Sequence, residues 1–155
     1  MTHWRADPRL TDRFHPAHPD DLQVSVHDGG PRFSRFPAEI VWVRITGGHG
    51  GQAHVYRGTV LNQPFNLQSV AQGHSILLLA PATDHRPFQV SEAYLAERQG
   101  WAVRGCDRCG FADLFDLPSA LITRTFPDVT DPTTLRAFTS FCPLCGGVQV
   151  LERKG

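Results

Sequence analysis

Cys106-Asp107-Arg108-Cys109-Gly110 and Cys142-Pro143-Leu144-Cys145-Gly146 carry one arrangement written twice: two cysteines with two residues between them, then a glycine. Two sulfurs at this spacing reach a single ion if the backbone between them turns tightly. The glycine helps, because it accepts conformations that a Cβ forbids. Zinc takes four ligands at tetrahedral corners, about 2.3 Å from each sulfur. Cys106, Cys109, Cys142 and Cys145 are the chain's entire cysteine content, and they are expected to bind one structural Zn²⁺. Four thiolates leave no open position for water or substrate, so this ion is expected to hold the fold and to do no chemistry. An iron–sulfur cluster, a redox pair, two disulfides and unmetallated thiols are the competing readings. A redox pair normally sits at a helix start in a βαβ setting, which the pattern lacks. Disulfides are disfavoured in a reducing compartment.

Outward from the cysteines, Trp101–Arg104 and Val148–Leu151 read as strands flanking the two turns. Between the pairs lie 32 residues, against about 15–20 in the common four-cysteine spacing. Leu121–Phe126 reads as a strand within that stretch. Asp131-Pro132 has an N-cap residue followed by proline at the first helical position, so a short helix is expected towards Phe138. Strand, turn, strand, repeated, with Cys-Pro-x-Cys-Gly-Gly in the second turn, resembles the zinc ribbon class over residues 101–152. The long insert is a departure from its usual spacing.

Upstream the signal is β. Ile40-Val41-Trp42-Val43-Arg44-Ile45 is β-branched, aromatic and apolar on both faces, as a central strand would be. Gly47-Gly48-His49-Gly50-Gly51 then separates it from a strand over Ala53–Val60. Asn62-Gln63-Pro64 reads as a turn, Phe65–Leu67 as a short strand, and His74–Leu79 as a further strand. Ser91 can cap a helix running to about Gln99, with Gly100 ending it. Residues 1–38 hold five of the twelve prolines, which suits an extended wrap with at most one short strand near Val24 and Val26. The expected fold is α+β: a small bent antiparallel β-sheet or barrel with a C-terminal zinc ribbon carrying a helical insert. Its parts are an irregular N-terminal wrap (1–38), a small β-rich domain ending in a short helix (39–100), and the ribbon module (101–155). Trp42, Trp101, Phe111, Phe115, Phe126, Phe138 and Phe141 are expected to fill the core.

Fifteen basic residues balance fifteen acidic ones, and each half of the chain sums to zero. Phosphate contacts dominate nucleic-acid affinity, so a neutral chain does not favour a nucleic-acid partner. Four thiolates on Zn²⁺ add a formal −2 to the C-terminal part. No apolar run approaches the length needed to span a bilayer, and the first residues carry no apolar signal segment. A cytoplasmic protein is therefore expected.

Gly48, His49, Gly50 and His54 form a candidate binding loop. They do not form a phosphate loop, because the Gly-Lys-Ser/Thr ending is missing and the segment joins two strands. His15 and His18 stand three residues apart beside Asp20 and Asp21, but Pro16 and Pro19 argue against one shared helix face. No nucleophile elbow is present.

Val41-Trp42-Val43-Arg44-Ile45, Gly58-Thr59-Val60-Leu61-Asn62-Gln63-Pro64 and Gly73-His74 together resemble a bacterial family of small β-rich domains. That family is of unknown function and has immunity-protein-like relatives. The resemblance covers residues 41–81, has His74 where the family usually has Asp, and implies a compact β fold and no catalytic residue. The resulting expectation is a non-enzymatic zinc-binding protein, a binding or adaptor module with a protein partner, of which an immunity-like role is one specific version. Nucleic-acid binding through the ribbon and a hydrolase with a His/Asp site are the alternatives.

Overall fold

Val41, Val43 and Ile45 alternate with Trp42, Arg44 and Thr46, and this period of two puts the first set inside and leaves Arg44 and Thr46 exposed. The strand they form, Glu39–Gly48, has one buried face, with Ile40 exposed and Trp42 half-buried. This corrects the expectation of a strand apolar and buried on both sides. The computed structural model describes residues 3–155. It divides into two units, the first running to Asp28 and resuming over Ala38–Val90, the second comprising Gly29–Pro37 and Ser91–Gly155.

The first unit contains β1 (Phe14–His15), β2 (His18–Val26), β3 (Glu39–Gly48), β4 (Val55–Val60), β5 (Ser75–Leu79) and β6 (Phe88–Val90). Strands β2 to β6 pair antiparallel in chain order. A parallel pairing of Ser25 with Phe88 then joins β2 to β6, with the Ser25 amide donating to Pro87 O at 2.9 Å. The result is a closed five-stranded barrel, an arrangement that removes free sheet edges. Leu22, Val24, Val26, Val41, Val43, Val60, Leu78 and Phe88 are sealed in its core. Strand β2 lies within the region expected to wrap irregularly. Its Leu22, Val24 and Val26 follow the strand period, and Pro16 precedes it while Pro19 stands at its start, where proline is tolerated. Phe65–Leu67 forms no strand.

One barrel position depends on a missing Cβ. Strand β3 shifts register between Ile45 and Gly47, and Gly58 sits opposite Ile45. A Cβ on Gly58 would fall 2.5 Å from Val43 Cγ1 and 2.9 Å from Arg44 O.

The second unit contains α1 (Glu92–Arg98), β7 (Trp101–Val103), α2 (Pro118–Thr125), β8 (Ala137–Phe141) and β9 (Val148–Arg153). Ser91 caps α1 as expected, its side chain accepting from the Tyr94 amide. Strands β7, β9 and β8 form a three-stranded antiparallel sheet with β9 at the centre. Residues 121–126, expected as a strand, belong to α2 and its end. Proline at the first helical position starts that helix, and the carboxylate of Glu97 accepts from the Ser119 amide and hydroxyl, both at 2.8 Å. These bonds satisfy donors that Leu117 at the N-cap cannot. The helix expected after Asp131 is only a 3₁₀ turn, Pro132–Thr134, capped as predicted by the Asp131 carboxylate. Trp101 and Phe126 both meet Phe138 edge-on. Phe141, expected in the core, is 48% exposed.

Gly58→Ala is expected to destabilise the protein by about 1–3 kcal/mol through overpacking. A denaturant midpoint equal to that of the parent would show that the bulge yields to the added methyl.

Candidate metal centre

The two cysteine turns are built alike. In the first, the Gly110 amide donates to Cys106 O at 2.9 Å, and the Cys106 amide to Phe111 O at 2.9 Å. In the second, the Gly146 amide donates to Cys142 O at 2.9 Å, and the Cys142 amide to Gly147 O at 2.7 Å. Gly110 and Gly146 take φ of +81° and +79°, where a side chain would be strained. Each glycine after a second cysteine therefore closes the same loop.

These turns bring all four sulfurs within 4.8 Å of one another. Cys106 Sγ lies 3.4 Å from Cys145 Sγ, and Cys109 Sγ lies 3.6 Å from Cys142 Sγ. Bonded sulfurs sit about 2.05 Å apart, so neither pair is a disulfide. A zinc–sulfur distance of about 2.3 Å gives a tetrahedral edge of about 3.8 Å, close to both separations. The donor set and its dimensions thus fit a metal ion.

Cys106 and Cys142 are buried, Cys109 is half-buried and Cys145 is exposed. Burial pushes the Cys109 and Cys142 thiols up from their ordinary range. Burial acts upward on Cys106 too, but the amides of Cys109 and Arg108 outweigh it and hold that thiol at about 7; the Arg108 amide donates to its sulfur at 3.4 Å. Cys106 is thus readied to ionise, and Cys109 and Cys142 need a cation beside them to do so.

The first turn is stitched to the strand that leaves the second. Asp107 N donates to Val148 O at 3.1 Å, and Val148 N returns a bond to Asp107 Oδ1 at 2.8 Å. Next along β9, the fully buried Gln149 donates from Nε2 to Phe111 O and Asp113 O, both at 2.8 Å. Gly147 lies so close to the cage that a Cβ there would collide with Cys106 Sγ and fall 2.7 Å from Asp107 Oδ1.

The other sequence candidates assemble less. The His15 and His18 rings lie 4.9 Å apart, and His15 meets Trp42 edge-on at 5.3 Å. Among the described residues, the four cysteines are the only cluster of three or more such side chains arranged to hold an ion. Gly48 is the last residue of β3, and Gly50 and Gly51 adopt positive φ in the loop beyond it. His49 and His54 engage different partners: His49 Nδ1 faces Arg57 Nη2 at 3.2 Å, and His54 Nδ1 faces Asp7 Oδ2 at 2.9 Å. Sequence reasoning did not select Asp7, or Tyr56 beside it. No local motif joins Asp7 to a histidine 47 residues away, and the single hint was an acidic residue in the proline-rich start.

Gly147→Ala is expected to weaken metal binding by about tenfold or more, as loss of outer-shell order around a site does. Competition against a coloured chelator measures it, and an unchanged affinity would show that the cage relaxes around the methyl.

The chain matches no protein-family model, no curated protein and no solved structure, so the resemblance of residues 41–81 stands on its residues alone.

Proposed function

We propose that Cys106, Cys109, Cys142 and Cys145 bind one structural Zn²⁺, and that the second unit is a zinc-ribbon-type module serving a non-enzymatic binding or adaptor role. The observation that carries this reading is the closed cage of four sulfurs on two matched turns. Such a set fills the tetrahedron of zinc and leaves nothing for substrate. The ion's binding free energy then becomes folding free energy for the module.

A protein partner is supported by what surrounds the second turn. Leu144, between its two cysteines, is 38% exposed, and the flanking cross-strand pair Phe141 and Val148 is exposed as well. Large apolar side chains grouped on a metal-stiffened turn suit protein recognition, which favours rigid apolar anchors. An immunity-like role is the specific form that the resemblance over residues 41–81 implies. Nucleic acid fits less well. Arg104 is paired with Glu152, Arg98 with Asp113, and Arg153 lies over Trp101 while donating to Leu135 O and Pro132 O. These cations are already engaged, which leaves little surplus for phosphate. No helix among the described residues is long and apolar enough to cross a membrane.

Elemental analysis of untagged protein is expected to give one zinc per chain. Cys142→Ser should lower both metal content and thermal stability. Full stability after chelation and verified metal loss would overturn the structural role. Leu144→Asp should keep its zinc yet lose whichever protein co-purifies specifically with the parent chain. Identical co-purifying sets for variant and parent would overturn the docking role of this turn.

A further inference from the structure

His54 is the single non-glycine residue with positive φ among the described residues, at +67°. Its ring is held by an acid that the fold has buried completely. Asp7 is 1% exposed and accepts three hydrogen bonds: from the Arg9 amide at 2.9 Å, from Tyr56 OH at 2.5 Å, and from His54 Nδ1 at 2.9 Å. Burial acts upward on the Asp7 carboxyl, but its bonds with Tyr56, Arg9 N and His54 outweigh it and hold the group below the ordinary carboxylate range. Burial and the facing Asp7 push the Tyr56 hydroxyl up, so it stays a proton donor. An ionised carboxylate against Nδ1 fixes the proton on that nitrogen. Nε2 then carries a lone pair, and it has no hydrogen-bond partner among the described residues.

His54 is 28% exposed at the side chain, and it lines a pocket of about 260 Å³ together with Asp7, Pro8, Gly51, Gln52 and Tyr56. That volume lies just below the usual range for drug-sized ligands. An occupant must therefore be small.

We propose that Asp7 and His54 form a general-base dyad that activates water for hydrolysis of small acyl esters held in this pocket. Nε2 takes a proton from water as the water oxygen bonds to the acyl carbon. The carbon–oxygen bond to the leaving group then breaks, and the proton on Nε2 passes to the departing alkoxide, leaving a carboxylic acid and an alcohol. Asp7 is the positioning residue, setting the tautomer and stabilising the transient imidazolium. Of the two His/Asp sites that the hydrolase alternative allows from sequence, near His15–Asp21 or near His49–His54, this one uses His54 of the second, paired with Asp7 and not with His49.

The test uses the full-length, metal-loaded chain with p-nitrophenyl acetate, alongside nitrogen–proton correlation NMR of the histidine rings. General-base assistance contributes about 10²–10⁴-fold, so His54→Gln is expected to lose about 100-fold in the protein-dependent rate, while His18→Gln keeps it. The NMR spectra should show His54 as the Nδ1–H tautomer, moving to Nε2–H in Asp7→Asn, where an amide can donate to Nδ1. Tyr56→Phe preserves the Asp7–His54 bond and should keep the Nδ1–H form. Should Asp7→Asn fail to fold, the parent's tautomer and the His54→Gln rate decide the matter. Parent-like hydrolysis by His54→Gln, or an Nε2–H tautomer in the parent chain, overturns the proposal.

Discussion

Four sulfurs gathered within 4.8 Å are a constraint that a metal ion could satisfy. Two thiolates at 3.4 Å repel by about 5 kcal/mol at an effective dielectric constant of 20. Protonation removes the repulsion but leaves weak S–H donors in a cage that nothing pulls shut. A divalent cation answers both difficulties. Structural zinc contributes about 10–16 kcal/mol in zinc-finger peptides, comparable to the whole stability of an ordinary domain. The surrounding bonds then make sense as a frame for the cage. Asp107 ties the first turn to Val148, Gln149 ties β9 to Phe111 and Asp113, and Gly147 keeps its Cβ position empty beside Cys106.

The barrel of the first unit solves its own problem without a metal. Its five strands, left as an open sheet, would have unpaired edges. Closure through the Ser25–Phe88 pairing removes them at the cost of tight curvature. The bulge in β3 and the bare backbone at Gly58 allow β3 and β4 to approach closely. Asp21 is buried in the same sheet and is satisfied by its cross-strand neighbour Arg44 through two hydrogen bonds, at 2.8 and 3.0 Å.

Features written in neighbouring residues were legible; features written across the chain were not. Repeated Cys-x-x-Cys-Gly carries its geometry within five residues, and both turns formed as the spacing predicts. The Ser91 cap and the β3 alternation are local in the same sense. Helix α2 is not legible locally because Leu121-Ile122-Thr123 has a β-branched look, while the group that satisfies its first turn, Glu97, lies 22 residues before Ser119. Strand β2 is masked in the sequence by the prolines at its start. What makes it essential, pairing with both β3 and β6, is visible only once the barrel closes.

The Asp7–His54 pair is the sharpest case of such non-local information. A histidine at φ of +67° carries strain of order 1–3 kcal/mol, and a buried carboxylate without partners is far costlier. Tyr56 OH, the Arg9 amide and His54 together offset the second cost, and the bond to Asp7 offsets the first, since a hydrogen bond to a charged group contributes about 1.5–3 kcal/mol. Packing by itself asks for no such pair; an apolar residue at 7 and a glycine at 54 would satisfy the backbone with less strain. The arrangement leaves an imidazole lining a small pocket, in the unit that lacks the four cysteines. Four thiolates would fill the tetrahedron of a bound zinc ion, so the chemistry proposed for this chain rests on side chains such as these.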